Sequence, residues 1–106
     1  MKIKVSGAEG AVLDRLVNMA DGLHGVLAPV AYSSDWSFGG PIIEREEIQL
    51  ATERGGEWVA SIPRAVEIGD YRKYCFKTGP TPLIAAMRCF VVSRLGEEVE
   101  IPEEFI

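Results

Sequence analysis

The stretch TPLIAAMRCFVVSRLG, residues 81–96, constrains the fold more than any other part of the chain. Thr81 stands where a helix N-cap belongs, Pro82 takes the first helical position, and Gly96 follows the last turn. Between them, apolar residues cover nearly the whole helical wheel, so other elements must surround this helix. Arg88 is the only charge in LIAAMRCFVV. A guanidinium buried there must be hydrogen-bonded to a carboxylate or to backbone carbonyls, because an unpaired buried charge is very costly. Asp35 or Glu44 is the expected partner, which would pin the segment YSSDWSFGGPIIERE (32–46) to the helix.

The remaining elements must therefore wrap this helix within one domain, residues 1–106. KIKV (2–5) alternates like a short strand. Ser6 and Glu9 have capping-box spacing and predict a helix starting there. Val12, Leu13, Leu16, Met19 and Ala20 form its apolar face, Asp14, Asn18 and Asp21 its polar face, and Gly22 its left-handed stop. Residues 22–47 read as a long ordered loop, with one helical turn near Ile42–Glu46; a loop of this length hints at function.

EIQLATERGGEWVASIP reads as a β-hairpin turning at Arg54–Gly56. A three-residue turn pairs Ile48 with Ile62, Leu50 with Ala60 and Thr52 with Trp58 on one face, at the expense of Glu53 opposite Glu57. YRKYCFK (71–77) is a weaker strand, and EVEIP (98–102) a final edge strand. The order predicts an α+β fold, an antiparallel sheet covered by two helices on one face. A ferredoxin-like β-α-β-β-α-β topology is one candidate.

The chain has 11 basic and 16 acidic residues, a net charge of −5. Glu97, Glu98, Glu100, Glu103 and Glu104 account for the excess, so the body is electrically mixed. That is a poor footprint for nucleic acid, although the aromatics and basic residues of Tyr71–Lys77 could offer a single-strand platform. The longest nearly apolar run, PLIAAMRCFVV, falls short of the roughly 20 residues a membrane span needs. The N-terminus shows no signal peptide, and Cys75 and Cys89 read as reduced thiols of a cytoplasmic protein.

Catalytic patterns are sparse. The lone histidine, His24, sits in a Gly-flanked turn with no triad spacing around it. Asp35, Glu44, Glu46 and Glu47 could hold Mg²⁺ beside a substrate phosphate, or form a charged rim with Arg45. KTGPTP leads into a helix N-terminus, where Lys77, Thr78 and Thr81 could receive a small anion, or Thr81 could simply cap. Nothing calls for a cofactor. Trp36 and Phe38, beside Gly39-Gly40-Pro41, suit a partner anchor or a core plug; with the all-round apolar helix they favour a homodimer.

KVSGAEGAVLDRLV, YSSDWSFGGPIIERE and GPTPLIAAMRCFVVSRLGEEVEIPEE together resemble the NinX-like family of small phage and prophage proteins, in order and over nearly the whole chain. The resemblance implies a phage gene product acting in a bacterial cytoplasm and brings no activity, cofactor or catalytic residue. Its signature includes Asp35, Trp36, Gly39, Gly40, Pro41, Thr81, Pro82 and Arg88. The expected function is a non-enzymatic accessory module binding a phage or host protein, or a small anionic ligand. Its surface would comprise Tyr32, Asp35, Trp36, Gly39, Gly40, Pro41, Glu44, Thr81 and Arg88. The alternative is a small nucleotide- or phosphoester-processing enzyme using Asp35, Glu44 and Arg88.

Overall fold

The computed structural model describes residues 1–22, 29–63 and 74–102. Its elements are β1 (Lys2–Lys4), a 3-10 turn (Val5–Gly7), α1 (Gly10–Ala20), α2 (Trp36–Glu46), β2 (Gln49–Thr52), β3 (Trp58–Pro63), β4 (Tyr74–Gly79), α3 (Pro82–Leu95) and β5 (Glu98–Glu100). The fold is α+β, as expected, with three helices rather than two among the described residues. His24, residues 64–73 and the last four residues lie outside the described residues.

α3 is the hub. Its residues Ala85 to Val91 are all buried, and it packs on β3, β4, α1 and α2. Thr81 caps it, its Oγ1 accepting from Ile84 N at 3.1 Å. Phe90, Met87, Val91 and Cys89 meet Leu13, Leu16 and Val17 of α1 and Ile101 and Val5 of the terminal segments in one core.

The strands form two antiparallel sheets, β2-β3-β4 and β1-β5. The hairpin adopts the register that puts its apolar residues on one face: Leu50 opposite Ala60 and Thr52 opposite Trp58. Gly55 and Gly56 both take left-handed φ values, +95° and +86°, inside the turn. The ferredoxin-like topology is not adopted. The chain's first and last strands pair with each other, Ile3 opposite Val99, instead of entering the main sheet.

Arg88 joins the two halves. It is 7% exposed; its Nε donates to Ala8 O at 2.8 Å and its Nη1 to Thr78 O at 3.0 Å. Glu9 lies 3.8 Å from Nη2. Burial pulls the guanidinium pKa down, and the Glu9 and Glu57 charges work the other way. The expected partners Asp35 and Glu44 are replaced by carbonyls of the N-terminal segment and β4. Arg88 is thus a clamp, but it does not hold the Trp36 segment.

The capping box at Ser6 is also overturned. Ser6 lies in the 3-10 turn, and α1 begins only at Gly10, with no side-chain cap from Glu9. Gly10 has φ +61°, a left-handed kink that a helix running on from Ser6 could not pass through.

Candidate functional site

The segment read as a loop is largely helix. Asp35 Oδ1 accepts from Ser37 N at 2.8 Å, a direct N-cap, and α2 runs from Trp36 through Gly39, Gly40 and Pro41 to Glu46. Pro41 cannot donate to the carbonyl of Ser37. Both residues are exposed, so water can serve that carbonyl.

The lead-in to α2 is fastened to α1 by residues assigned above to a solvent face. Asp14 and Asn18 are buried. Asp14 Oδ1 accepts from Ser33 N at 2.8 Å and from Ser33 Oγ at 2.7 Å, and Tyr32 OH donates to Asn18 Oδ1 at 2.8 Å. Burial, followed by the charges of Asp21 and Asp14, pushes the Tyr32 phenol pKa up and keeps it a donor. The polar stripe of α1 is therefore an internal socket for Tyr32 and Ser33. Nothing in its periodicity distinguishes such a socket from a wet face.

Gly39 sets the distance between α2 and α3. A Cβ there would overlap the Tyr32 carbonyl oxygen and come within 2.6 Å of Leu83 Cδ2. At the other end, Glu46 Oε2 accepts from Arg45 Nε at 2.9 Å and from Arg94 Nη2 at 3.1 Å; Arg45 also reaches Asp21 at 2.9 Å. Both guanidinium groups lie over the Phe90 ring, 5.5 Å and 5.2 Å from its centroid. Burial alone would raise the Glu46 pKa, but the two arginines outweigh it and hold the carboxyl below its ordinary value. With Gly39 beside Leu83 and Glu46 beside Arg94, α2 and α3 run parallel and their N-terminal ends sit side by side.

Between those ends lies a cleft of about 300 Å³, lined by Ser33, Ser34, Trp36, Thr81, Pro82, Leu83 and Ile84. Trp36 is 53% exposed at its edge. The structure thus brings Trp36 and Thr81 of the predicted set to one cleft, with Tyr32, Asp35 and Gly39 supporting it from behind. Gly40 and Pro41 continue along α2, and Trp36 Cε3 would lie 3.8 Å from a Cβ on Gly40. Glu44 is exposed about two and a half turns from Asp35, about 13 Å along the axis at 1.5 Å per residue. Phe38 is exposed too, but two residues on from Trp36 it projects from another flank of the helix. Ser33, Ser34, Leu83 and Ile84 were missed in the sequence. Only the last two carried a signal, their position in the first turn after Thr81.

Among the described residues, no group of three or more His, Cys, Asp or Glu side chains could hold a metal ion, and Asp35, Glu44, Glu46 and Glu47 do not converge. At the candidate anion site, Lys77 Nζ is 2.6 Å from Glu97 Oε2, and the Thr81 hydroxyl is used as a cap. Of the single-strand platform, residues 71–73 lie outside the described residues, and Phe76 is exposed. No helix of the described residues is long and apolar enough to cross a membrane.

The described residues define a small α+β domain of three helices and two antiparallel sheets, with an apolar cleft at the paired ends of two helices. The family model described as Bacteriophage P22, NinX matches residues 4–94, so the chain belongs to that phage protein family. The comparison with curated proteins gives no match.

Proposed function

We propose that this chain is a non-enzymatic accessory protein of its phage, acting in the host cytoplasm, and that it captures a protein partner in the cleft between the N-terminal ends of α2 and α3. The observation that carries this reading is Trp36, held half in solvent at the rim of an apolar cleft whose walls are locked in place. An exposed indole beside a preformed pocket is the usual chemistry of a protein-binding anchor.

The polar groups nearby favour a protein over a small anion. The Asp35 carboxylate stands at the N-terminus of α2, where an anion would have to approach it. Lys77 is neutralised by Glu97. The phosphoester enzyme has less support. Asp35 caps a helix, Glu44 is about two and a half turns away, and Arg88 is spent on two backbone carbonyls. Self-association belongs to the same reading, through a different surface.

Two measurements separate the readings. A thermal-shift series with nucleotides and Mg²⁺ should leave the melting temperature unchanged, whereas saturation at a hundredfold excess over Kd would add about 2.7 kcal/mol of stability. Crosslinking in infected cells should recover a protein with the wild type and lose it with Trp36→Ala, whose melting temperature should match the wild type. Recovery that is indifferent to Trp36→Ala refutes the cleft as the site.

A further inference from the structure

We propose that β4 is also an assembly edge: it pairs with β4 of a second copy, antiparallel, about a two-fold axis through Phe76. This goes beyond the cleft reading and does not depend on it.

The hydrogen-bond alternation shows which way the strand points. Glu53 N donates to Glu57 O at 2.8 Å, so residues 53, 51 and 49 face their partners 57, 59 and 61 across the hairpin. Residues 58, 60 and 62 of β3 then face 79, 77 and 75 of β4. Positions 74, 76 and 78 point their N–H and C=O groups away from β3, and β4 is the edge strand of this sheet among the described residues. The bond from Arg88 to Thr78 O confirms that direction independently. A groove of about 210 Å³ lined by Ser6, Phe76, Lys77 and Thr78 leaves room beside the strand.

Positions 74, 76 and 78 are symmetric about Phe76. A second copy laid antiparallel meets 74 with 78, 76 with 76 and 78 with 74, each pair facing across the edge; Thr78 O, which already accepts from Arg88 Nη1, would receive the new strand on its second lone pair. Phe76 has the largest exposure of any large apolar side chain among the described residues, 59%, and this register sets it against its own copy as a cross-strand aromatic pair.

Charge also favours a second copy. Within its strands the uncovered sheet face carries Gln49, Ala51, Val59, Ser61, Phe76 and Thr78, none of them ionised, in a chain of net charge −5; the charges on that side, Glu53 and Glu57, stand at the hairpin tip beyond the end of β4. Two copies meeting there oppose no like charges; through α2 they would bring Asp35, Glu44 and Glu47 together. The lysine that often guards an edge is missing from the outer face, because Lys77 turns to the core side and binds Glu97. The closed two-fold stops at a dimer with one six-stranded sheet.

The test is the oligomeric state, by light scattering across a concentration series, joined to a crosslink. The wild type should have twice the mass of one chain, and Phe76→Lys should be monomeric with an unchanged circular dichroism spectrum. In a Cys75→Ala background, Phe76→Cys should oxidise to a covalent dimer because it lies on the axis. Ser61→Cys, one strand inward on the same face, should not, its copy lying roughly three strand spacings of about 4.8 Å away. A monomeric wild type, a dimer unaffected by Phe76→Lys but split by Trp36→Ala, or equal crosslinking at 61 and 76 each overturns the proposal.

Discussion

Gly39→Ala tests the placement of α2 against α3. In an exposed helix the substitution would stabilise by about 1 kcal/mol, because alanine is the better helix former. Here the added methyl meets the Tyr32 carbonyl oxygen on one side and Leu83 Cδ2 at 2.6 Å on the other. Neither can retreat easily. The Tyr32 hydroxyl is held by Asn18, the next residue is held twice by Asp14, and Leu83 is buried in the first turn of α3. Overpacking of a tight site costs about 1–3 kcal/mol, and backbone on one side puts this case at the upper end. The net loss should be about 2 kcal/mol, which for a domain of this size lowers the melting temperature by about 8–16 °C. The neighbouring Gly40→Ala is the internal control. Its Cβ would find only Trp36 Cε3, at 3.8 Å, an ordinary contact. It should stabilise by about 1 kcal/mol and raise the melting temperature by about 4–8 °C. Urea denaturation followed by circular dichroism reads both. A Gly39→Ala protein as stable as the wild type, or equal shifts for the two variants, would refute this account of how the helices meet.

Arg88→Leu should lose about 3–5 kcal/mol in urea denaturation, because the Ala8 and Thr78 carbonyls lose their donor; wild-type stability would refute the clamp. Asp14→Ala strips the acceptor from the Ser33 amide and hydroxyl and should cost about 2–3 kcal/mol, with earlier amide exchange at Ser33 than in the wild type. Glu46 has a depressed folded-state pKa, so its contribution is complete above the ordinary carboxylate pKa and is lost as pH falls through the lowered value. Glu46→Gln should therefore lower the melting temperature at pH 7 and flatten its fall at acid pH; a parallel acid profile in the two proteins would contradict the sign.

Most of the framework was legible because it rests on local signals. Thr81-Pro82, Gly22, the hairpin glycines and the period-two alternation of 48–52 each name a backbone geometry that few other residues supply. α2 escaped because its middle is written in helix breakers. Gly39 is there for closeness to Leu83, and Pro41 is tolerated because the carbonyl it leaves without a donor lies in solvent. Propensity was overridden by packing, and only the Asp35 cap spoke for the helix. Trp36 could be singled out from the sequence, but the cleft could not, since its other wall comes from the first turn of α3, nearly fifty residues away.

Arg88 shows where such inference stops. That a lone guanidinium in an apolar helix must find acceptors follows from desolvation alone, and it found them. Which acceptors depends on which backbone passes nearby, and a carbonyl has no letter in the sequence. A search for partners among side chains turns up acidic residues such as Asp35 and Glu44, while Ala8 and Thr78 offer the same chemistry through atoms every residue carries. The consequence reaches function. Because Arg88 fastens the N-terminal segment to β4, the Trp36 cleft depends on Gly39, Asp14 and Thr81 instead. Loss of Arg88 should therefore weaken the whole fold, while loss of Trp36 should touch only what the cleft holds.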